Sequence, residues 1–512
     1  MNSWPLLSLI VWVPWVGAVL LASLPRIGAR GSRAVALVFS LSTLALGAVV
    51  LTGFDRNAHG YQFVERHEWI RSLNAHYFLG LDGMSLLMVL LTAILAPASL
   101  LASWRQQRDP RTFGLLFLLL QGAALGVFLA LDFFHWFVFW ELSLVPAYFL
   151  IRLWGGAGSL RAAYQFVIYT VGGSAFLLLG FVAIFAATGS LDFAELARLG
   201  ADGTLASRLS SLGGHWPEAV FLGVLLGFAV KVPLFPFHTW LPSAYAEAPT
   251  GVSMFLTGIL SKMGAYGFLR VLWPLFPAPL HAAATPLLWL ALGGVVFGAF
   301  AAMHQTDLKR MVAYSSVNHL SYCLLALFAV AASRGSTQNG EAVTAALGGS
   351  LLQMFNHGLS AAALFYCVGV LEERSGGRRS IEDFGGVRTA APIFAGLCGV
   401  ALFSSLGLPG LNGFIGEFFI FRGTWGLVPW AAALACIGLF ATAFFLLTFW
   451  QRVFHGPRAG AASGSFADIS GVDYAVLAPL ALLMMVFGIL PQLLTGLFNP
   501  LVAAWAQTLA TP

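Results

Sequence analysis

Charge is scarce in this sequence. Of 512 residues, 9% are charged and 59% hydrophobic, and the mean hydropathy is +0.84; a soluble chain carries about 25% charge. A soluble globular enzyme is excluded. Lysine is rarer still, since the 26 basic residues include only Lys231, Lys262 and Lys309. Cys323, Cys367, Cys398 and Cys436 sit singly inside apolar runs, without redox or metal-ligand spacing. Disulfide, zinc and iron–sulfur readings therefore fail, and the four are read as small core residues. Neither a Walker loop nor a dinucleotide fingerprint is present, so no nucleotide motif energises this chain. The formal charge of +5 forms no contiguous basic patch, which argues against a nucleic-acid partner and leaves the lipid bilayer as the surroundings.

What the sequence has is hydrophobic stretches long enough to cross about 30 Å of hydrocarbon as helices. About fourteen recur from end to end, centred near Val16, Leu44, Leu90, Leu120, Val145, Leu177, Leu225, Leu260, Gly293, Leu324, Leu359, Leu406, Leu439 and Met484. Their even spacing predicts an all-α polytopic membrane protein, with residues 1–512 as a single membrane domain. The first run lacks a positive n-region and a cleavage site, so it reads as a retained span. Arg26, Arg33, Arg105, Arg108, Arg152, Lys309, Arg374, Arg379 and Arg458 fall on one side of this count. Arg56, Arg66, Arg198, Arg270, Arg334 and Arg422, interspersed with acids, fall on the other. The positive-inside rule makes the first side cytoplasmic and places both termini outside.

Two runs are interrupted. In KVPLFPFHTWLPSAYAEAPTG, Pro233, Pro236, Pro242 and Pro249 follow Lys231; in SSLGLPGLNGFIGEFFIF, Gly407, Pro409, Gly410, Gly413 and Gly416 lead to Glu417. Such breaks are tolerated in a bilayer where protein or a cavity satisfies the freed backbone groups. A pair of them about five spans apart marks inverted repeats in transporters, because an odd number of spans reverses orientation. Simple packing kinks are the plainer alternative.

Ionisable residues at membrane depth are expensive and point to an ion or proton path. Arginine keeps its proton in a protein, whereas a lysine away from water can release one, so Lys231 and Lys262 stand out. Glu141 lies near the centre of its span, with Pro146 five residues on; a cation at the same depth is required, and Lys231 is the obvious partner. His319, in MVAYSSVNHLSY, and His357, in LLQMFNHGLSAAALF, are each surrounded by serine and amide side chains. Either alone also fits a satisfied core histidine. Lys309 is read either as reaching the core or as an anchor paired with Asp307. His238, His135 and Asp82 lie nearer the ends of their runs and are weaker candidates.

These stretches resemble the antiporter-like membrane subunits of respiratory complex I, NADH:quinone oxidoreductase, which are related to Mrp-type antiporter subunits. The resemblance rests on FWELSLVPAYFLI, KVPLFPFHTWLPSAYAEAPTGVSMFLTGILSKMGAYGFLR, DLKRMVAYSSVNHLSY, QMFNHGLSAAALF and LGLPGLNGFIGEFFIF. It covers nearly the whole chain and favours the M-type subunit (chain 4), because Glu417 stands where the L, N and Mrp types have lysine. The chain also stops at its last span, without the long lateral helix of the L type.

The resemblance implies two inverted five-helix repeats, 112–274 and 283–449, each with a broken helix, flanked by helices in 1–111 and 472–512. It implies that Glu141 and Lys231 form the coupling pair of the first half-channel. It implies that Lys262, His319 and His357 form the central relay, and Glu417 the exit-side site. It further implies that NADH, FMN, iron–sulfur clusters and quinone belong to partner subunits, with no redox centre in this chain. Its partners would be the L and N subunits, and its location the cell inner membrane with periplasmic termini. The alternative is a cation/proton antiporter subunit, or the homologous subunit of a membrane-bound hydrogenase or ion-driven carbon-uptake complex.

Overall fold

The computed structural model describes residues 4–58, 60–333, 340–457, 459–460 and 466–510; Arg334 and Arg458 of the loop assignment lie outside them. Twelve of its helices are long and apolar enough to cross a membrane. They are α1 (Leu6–Ser23), α2 (Ala29–Gly53), α3 (Gly83–Ala102), α4 (Pro110–Leu129), α5 with α6 (Phe133–Leu142, Leu144–Trp154), α7 (Ser159–Thr188), α12 (Thr250–Leu275), α13 (Ala284–Met303), α14 (Leu308–Ala332), α15 (Gly340–Arg374), α18 (Pro429–Phe454) and α19 (Val472–Ile489). After two short helices, α8 (Phe193–Ala201) and α9 (Thr204–Ser210), two further apolar segments are helix pairs joined by irregular chain: α10 (Trp216–Lys231) with α11 (Trp240–Glu247), and α16 (Pro392–Ser405) with α17 (Asn412–Leu427). These are the two proline- and glycine-rich interruptions. The chain satisfies its own freed groups there: Trp240 Nε1 donates to Val230 O at 2.9 Å and Leu408 N to Phe403 O at 2.9 Å, as a break in an oily medium requires.

The few aspartates are placed where helices begin. Asp82, Asp109, Asp132, Asp192 and Asp307 each accept from a backbone amide of the following first turn, satisfying donors that a helix N-terminus leaves open. Of these, Asp82, Asp132 and Asp192 lie at one end of the bundle. Arg66 pairs there with Asp192 at 3.4 Å, and Asp132 bridges to Asp192. At the other end, Arg108 donates to Leu153 O and Arg33 to Gln106 O, both at 2.6 Å. Arg379 reaches Asp307 at 3.1 Å, and Arg374 reaches the buried Asp473 at 2.7 Å. Helices α3, α7 and α15 each run from one of these ends to the other.

The structure departs from the sequence reading in several places outside the buried polar line, and it leaves Cys436 exposed, not in the core. Arg270 is not in a loop but inside α12, buried, with Nη2 2.6 Å from Asp82 Oδ1. Lys309 pairs with Glu372 at 2.6 Å, not with Asp307, because Asp307 caps α14 and faces Arg379. The chain does not stop at its last span. A 19-residue helix, α20 (Gln492–Ala510), follows α19 and packs Trp505 against Trp273 of α12 at 5.6 Å. Finally, an antiparallel hairpin, β1 (Gln62–Ile70) with β2 (Ala75–Leu81), stands on the Asp132 end.

Candidate functional site

The interior of the bundle is formed by α12, α14 and α15, whose apolar windows are 94–100% buried. Each carries polar residues into that interior. Helix α12 has π-helical turns at Leu256–Leu260 and Phe268–Leu272, and such widened turns gather at functional sites. Lys262, fully buried, follows the first of them. Its Nζ donates to the Thr257 carbonyl at 2.6 Å and meets His357 Nδ1 at 2.8 Å.

From there the polar groups continue without a gap larger than a ring. The His357 and His319 rings lie 5.2 Å apart, and His319 Nδ1 is 3.0 Å from Glu417 Oε1. Gln353 Nε2 donates to the same carboxylate oxygen at 3.2 Å. Lys262, His357, His319 and Glu417 are all at most 5% exposed. Four helices supply them: α12, α15, α14 and α17.

When Lys262 carries its proton, the ammonium offers only donors, so His357 Nδ1 accepts from it and the histidine's own proton sits on Nε2. Nε2 of both histidines has no hydrogen-bond partner among the described residues. Each ring thus has one nitrogen engaged by a charged group and the other unengaged, the arrangement in which imidazole takes a proton on one side and gives it up on the other.

Two glycines let the charged groups approach the backbone. At Gly264, a Cβ would lie 2.6 Å from Val232 N, so α12 fits against the chain leaving Lys231 only without a side chain. Gly407 has φ +80°, and a Cβ there would come 2.8 Å from Glu417 Oε2.

The other predicted pair is placed differently. Lys231 ends α10 at the break and is 2% exposed, while Glu141 is half-buried one residue before α5 ends. No ion pair within 4.0 Å joins them, and neither Lys231 Nζ nor Glu141 Oε1 has a hydrogen-bond partner among the described residues. Lys231 Nζ instead lies over the Trp140 ring, 4.9 Å from its centroid. No hydrogen bond links Lys231 to Lys262 among the described residues, although their helices touch at Gly264.

Residue-by-residue reading missed Asn412 and Ser404, which hold the second break. Asn412 Nδ2 donates to Asn356 Oδ1 at 3.2 Å, and Ser404 Oγ to Asn412 Oδ1 at 2.6 Å. The signal was available, since an asparagine between glycines in an apolar run is unusual. His238 lies within the first break, its ring stacked on Phe235. His135 is buried against Tyr77 of the hairpin. Neither joins the line from Lys262 to Glu417.

Residues 130–444 match the family model described as NADH:quinone oxidoreductase/Mrp antiporter, TM. The chain is 34% identical over 508 residues to NADH-quinone oxidoreductase subunit M of Rhodobacter capsulatus, covering 98% of this chain and 96% of that one. It is 35% identical over 500 residues to F(420)H(2) dehydrogenase subunit M of Methanosarcina mazei, covering 95% of each. Among solved structures it resembles a chain of respiratory complex I from Thermus thermophilus, with TM-score 0.84, 29% identity and 98% and 99% of the two chains covered. It shares the fold of a chain of the Mrp complex from a Dietzia species, with TM-score 0.80, 20% identity and 99% of both chains covered. The chain belongs to the family of membrane-spanning NADH:quinone oxidoreductase and Mrp antiporter subunits.

Proposed function

We propose that this chain is the M-type proton-translocating subunit of a respiratory NADH:quinone oxidoreductase, driven by quinone reduction in partner subunits. The observation that carries this reading is the buried line Lys262–His357–His319–Glu417, in which every neighbouring pair is in hydrogen-bond or ring contact. A structural role alone would not call for a lysine, two histidines and a carboxylate in one buried line, where each ionised group costs several kcal/mol to bury.

In this reading, a proton held on Lys262 passes to His357 Nδ1 while His357 releases the one on Nε2 toward His319. His319 then delivers a proton from Nδ1 to Glu417. Glu141 and Lys231 set when Lys262 gives up its proton. When the carboxylate approaches, Lys231 holds its charge and repels a second cation; when they part, the carboxylate no longer holds that charge in place. Counting each broken helix pair as one crossing gives fourteen spans, divided into inverted repeats 112–274 and 283–449. The arginine-rich end then faces the cytoplasm and both termini the periplasm of a cell inner membrane. The L and N subunits are the neighbours, and NADH, FMN, iron–sulfur clusters and quinone are bound by other subunits, this chain having no redox centre.

The test uses the intact complex in proteoliposomes. Glu141→Ala and Lys231→Ala abolish proton pumping and coupled quinone reduction, while NADH–ferricyanide activity of the peripheral subunits survives. Full pumping in both variants would overturn the assignment.

A further inference from the structure

We infer that Trp140 is a positioning residue for the Lys231 ammonium, a second seat on which the lysine rests when it is not paired with Glu141. This rests on the proposed role of that pair. Lys231 has a positive charge to place, no hydrogen-bond partner among the described residues, and no carboxylate within 4.0 Å. What it does have is an indole face 4.9 Å away. Tryptophan presents the most negative ring face of the three aromatic side chains, and cation–π attraction grows when water is excluded; Trp140 is 1% exposed.

The ring is also fixed. Its Nε1 donates to Ser174 Oγ of α7 at 3.0 Å. Its face stacks on Trp136 at 4.7 Å, and Phe228, from the same helix as Lys231, meets it edge-on at 5.8 Å. An indole held on three sides cannot follow the lysine, so the lysine moves relative to the indole.

Trp140 and Glu141 are adjacent on α5, about 100° apart around the helix. One ammonium on a flexible four-carbon stem can therefore exchange between them by rotation about its own bonds, without movement of α10. The break after Lys231 and the interruption of α5 at Ser143 leave both partners beside loosened helix ends. The indole seat keeps the lysine charged and localised while the carboxylate is elsewhere, which separates breaking the pair from losing the proton.

The test is carried out on the assembled complex in proteoliposomes, with rates normalised to NADH–ferricyanide activity. Trp140→Leu keeps apolar bulk and removes the ring face, and lowers proton pumping and coupled quinone reduction about tenfold. Trp140→Phe restores a ring face and returns the rate to within about threefold of the parent. Ser174→Ala frees the indole without touching the lysine, and falls between the two.

A role in packing alone would lower the yield of complex and leave the normalised rate unchanged, and would not be rescued by phenylalanine in preference to leucine. Normal pumping in Trp140→Leu alongside a dead Lys231→Ala would overturn the seat and spare the proposed function. Normal pumping in Lys231→Ala would remove both. Should Trp140→Leu fail to assemble, Ser174→Ala decides, and an unchanged rate there overturns the seat.

Discussion

At the scale of the residue, the proposed proton path turns on which side chains can exchange protons and which cannot. Lys262 and Lys231 are buried where arginine would also provide charge, yet Arg270, the one buried arginine among the described residues, is used otherwise. Its guanidinium donates to Asp82, Ser85, Tyr266 and Tyr61 at 2.6–3.1 Å. A donor-only group that never releases its proton is a fastener. Lys262→Arg therefore keeps the positive charge but stops pumping, with assembly intact, as proton uptake in vesicles would record. Glu417→Gln retains a hydrogen-bonding partner for Gln353 and loses the charge facing His319, and coupled quinone reduction falls at least tenfold; Glu417→Asp recovers part of it. A Glu417→Gln complex pumping at the parent rate would remove the carboxylate from the path.

Helical elements decide how close these side chains come. The two broken pairs and the interruption beside Glu141 share one kind of cause: proline withdraws a backbone bond or glycine loosens the helix, and neighbouring groups satisfy what is left open. Ser143 Oγ donates to Trp140 O at 2.7 Å beside the Leu142–Ser143 joint. The left-handed conformation of Gly407 adds a second constraint, since a methyl group there is strained and also pushes on Glu417. Gly407→Ala is expected to destabilise the second break by about 1–3 kcal/mol and to lower coupled activity beyond the loss in assembled complex. Quantifying intact complex by native electrophoresis beside its turnover separates the two effects.

For the whole molecule, ion pairs at the two ends of the bundle fix how the helices stand. At the arginine-rich end, fully buried Asp473 receives Arg374 at 2.7 Å, Arg105 at 3.4 Å and the Tyr366 hydroxyl at 2.7 Å, joining α15, α19 and the chain after α3. At the opposite end, Arg270 and Asp82 join α12 to the start of α3. Removing one member of a buried pair leaves an uncompensated charge and costs about 3–5 kcal/mol. Arg270→Ala should therefore reduce complex yield and thermal stability sharply. The double variant Arg270→Leu with Asp82→Asn should recover most of the loss, measured by thermal inactivation of the purified complex. No recovery would mean that the hydrogen bonds to Tyr61 and Tyr266 matter more than the charge balance.

The sequence alone determined the class of fold and picked out Lys231, Lys262, His319, His357 and Glu417 as buried ionisable residues, because hydropathy and the cost of charge in hydrocarbon act on each segment separately. Broken helices were legible for the same reason: proline and glycine act locally. Pairing was not legible, since it depends on how helices far apart in the chain are turned toward one another. Thus Lys309 meets Glu372 and not its neighbour Asp307, Arg270 turns inward to Asp82, and Lys231 lies on Trp140 and not against Glu141. Only the packed bundle decided that Lys262, His357, His319 and Glu417 form one line, because the contacts that join them cross four helices and join residues as far apart in sequence as His319 and Glu417.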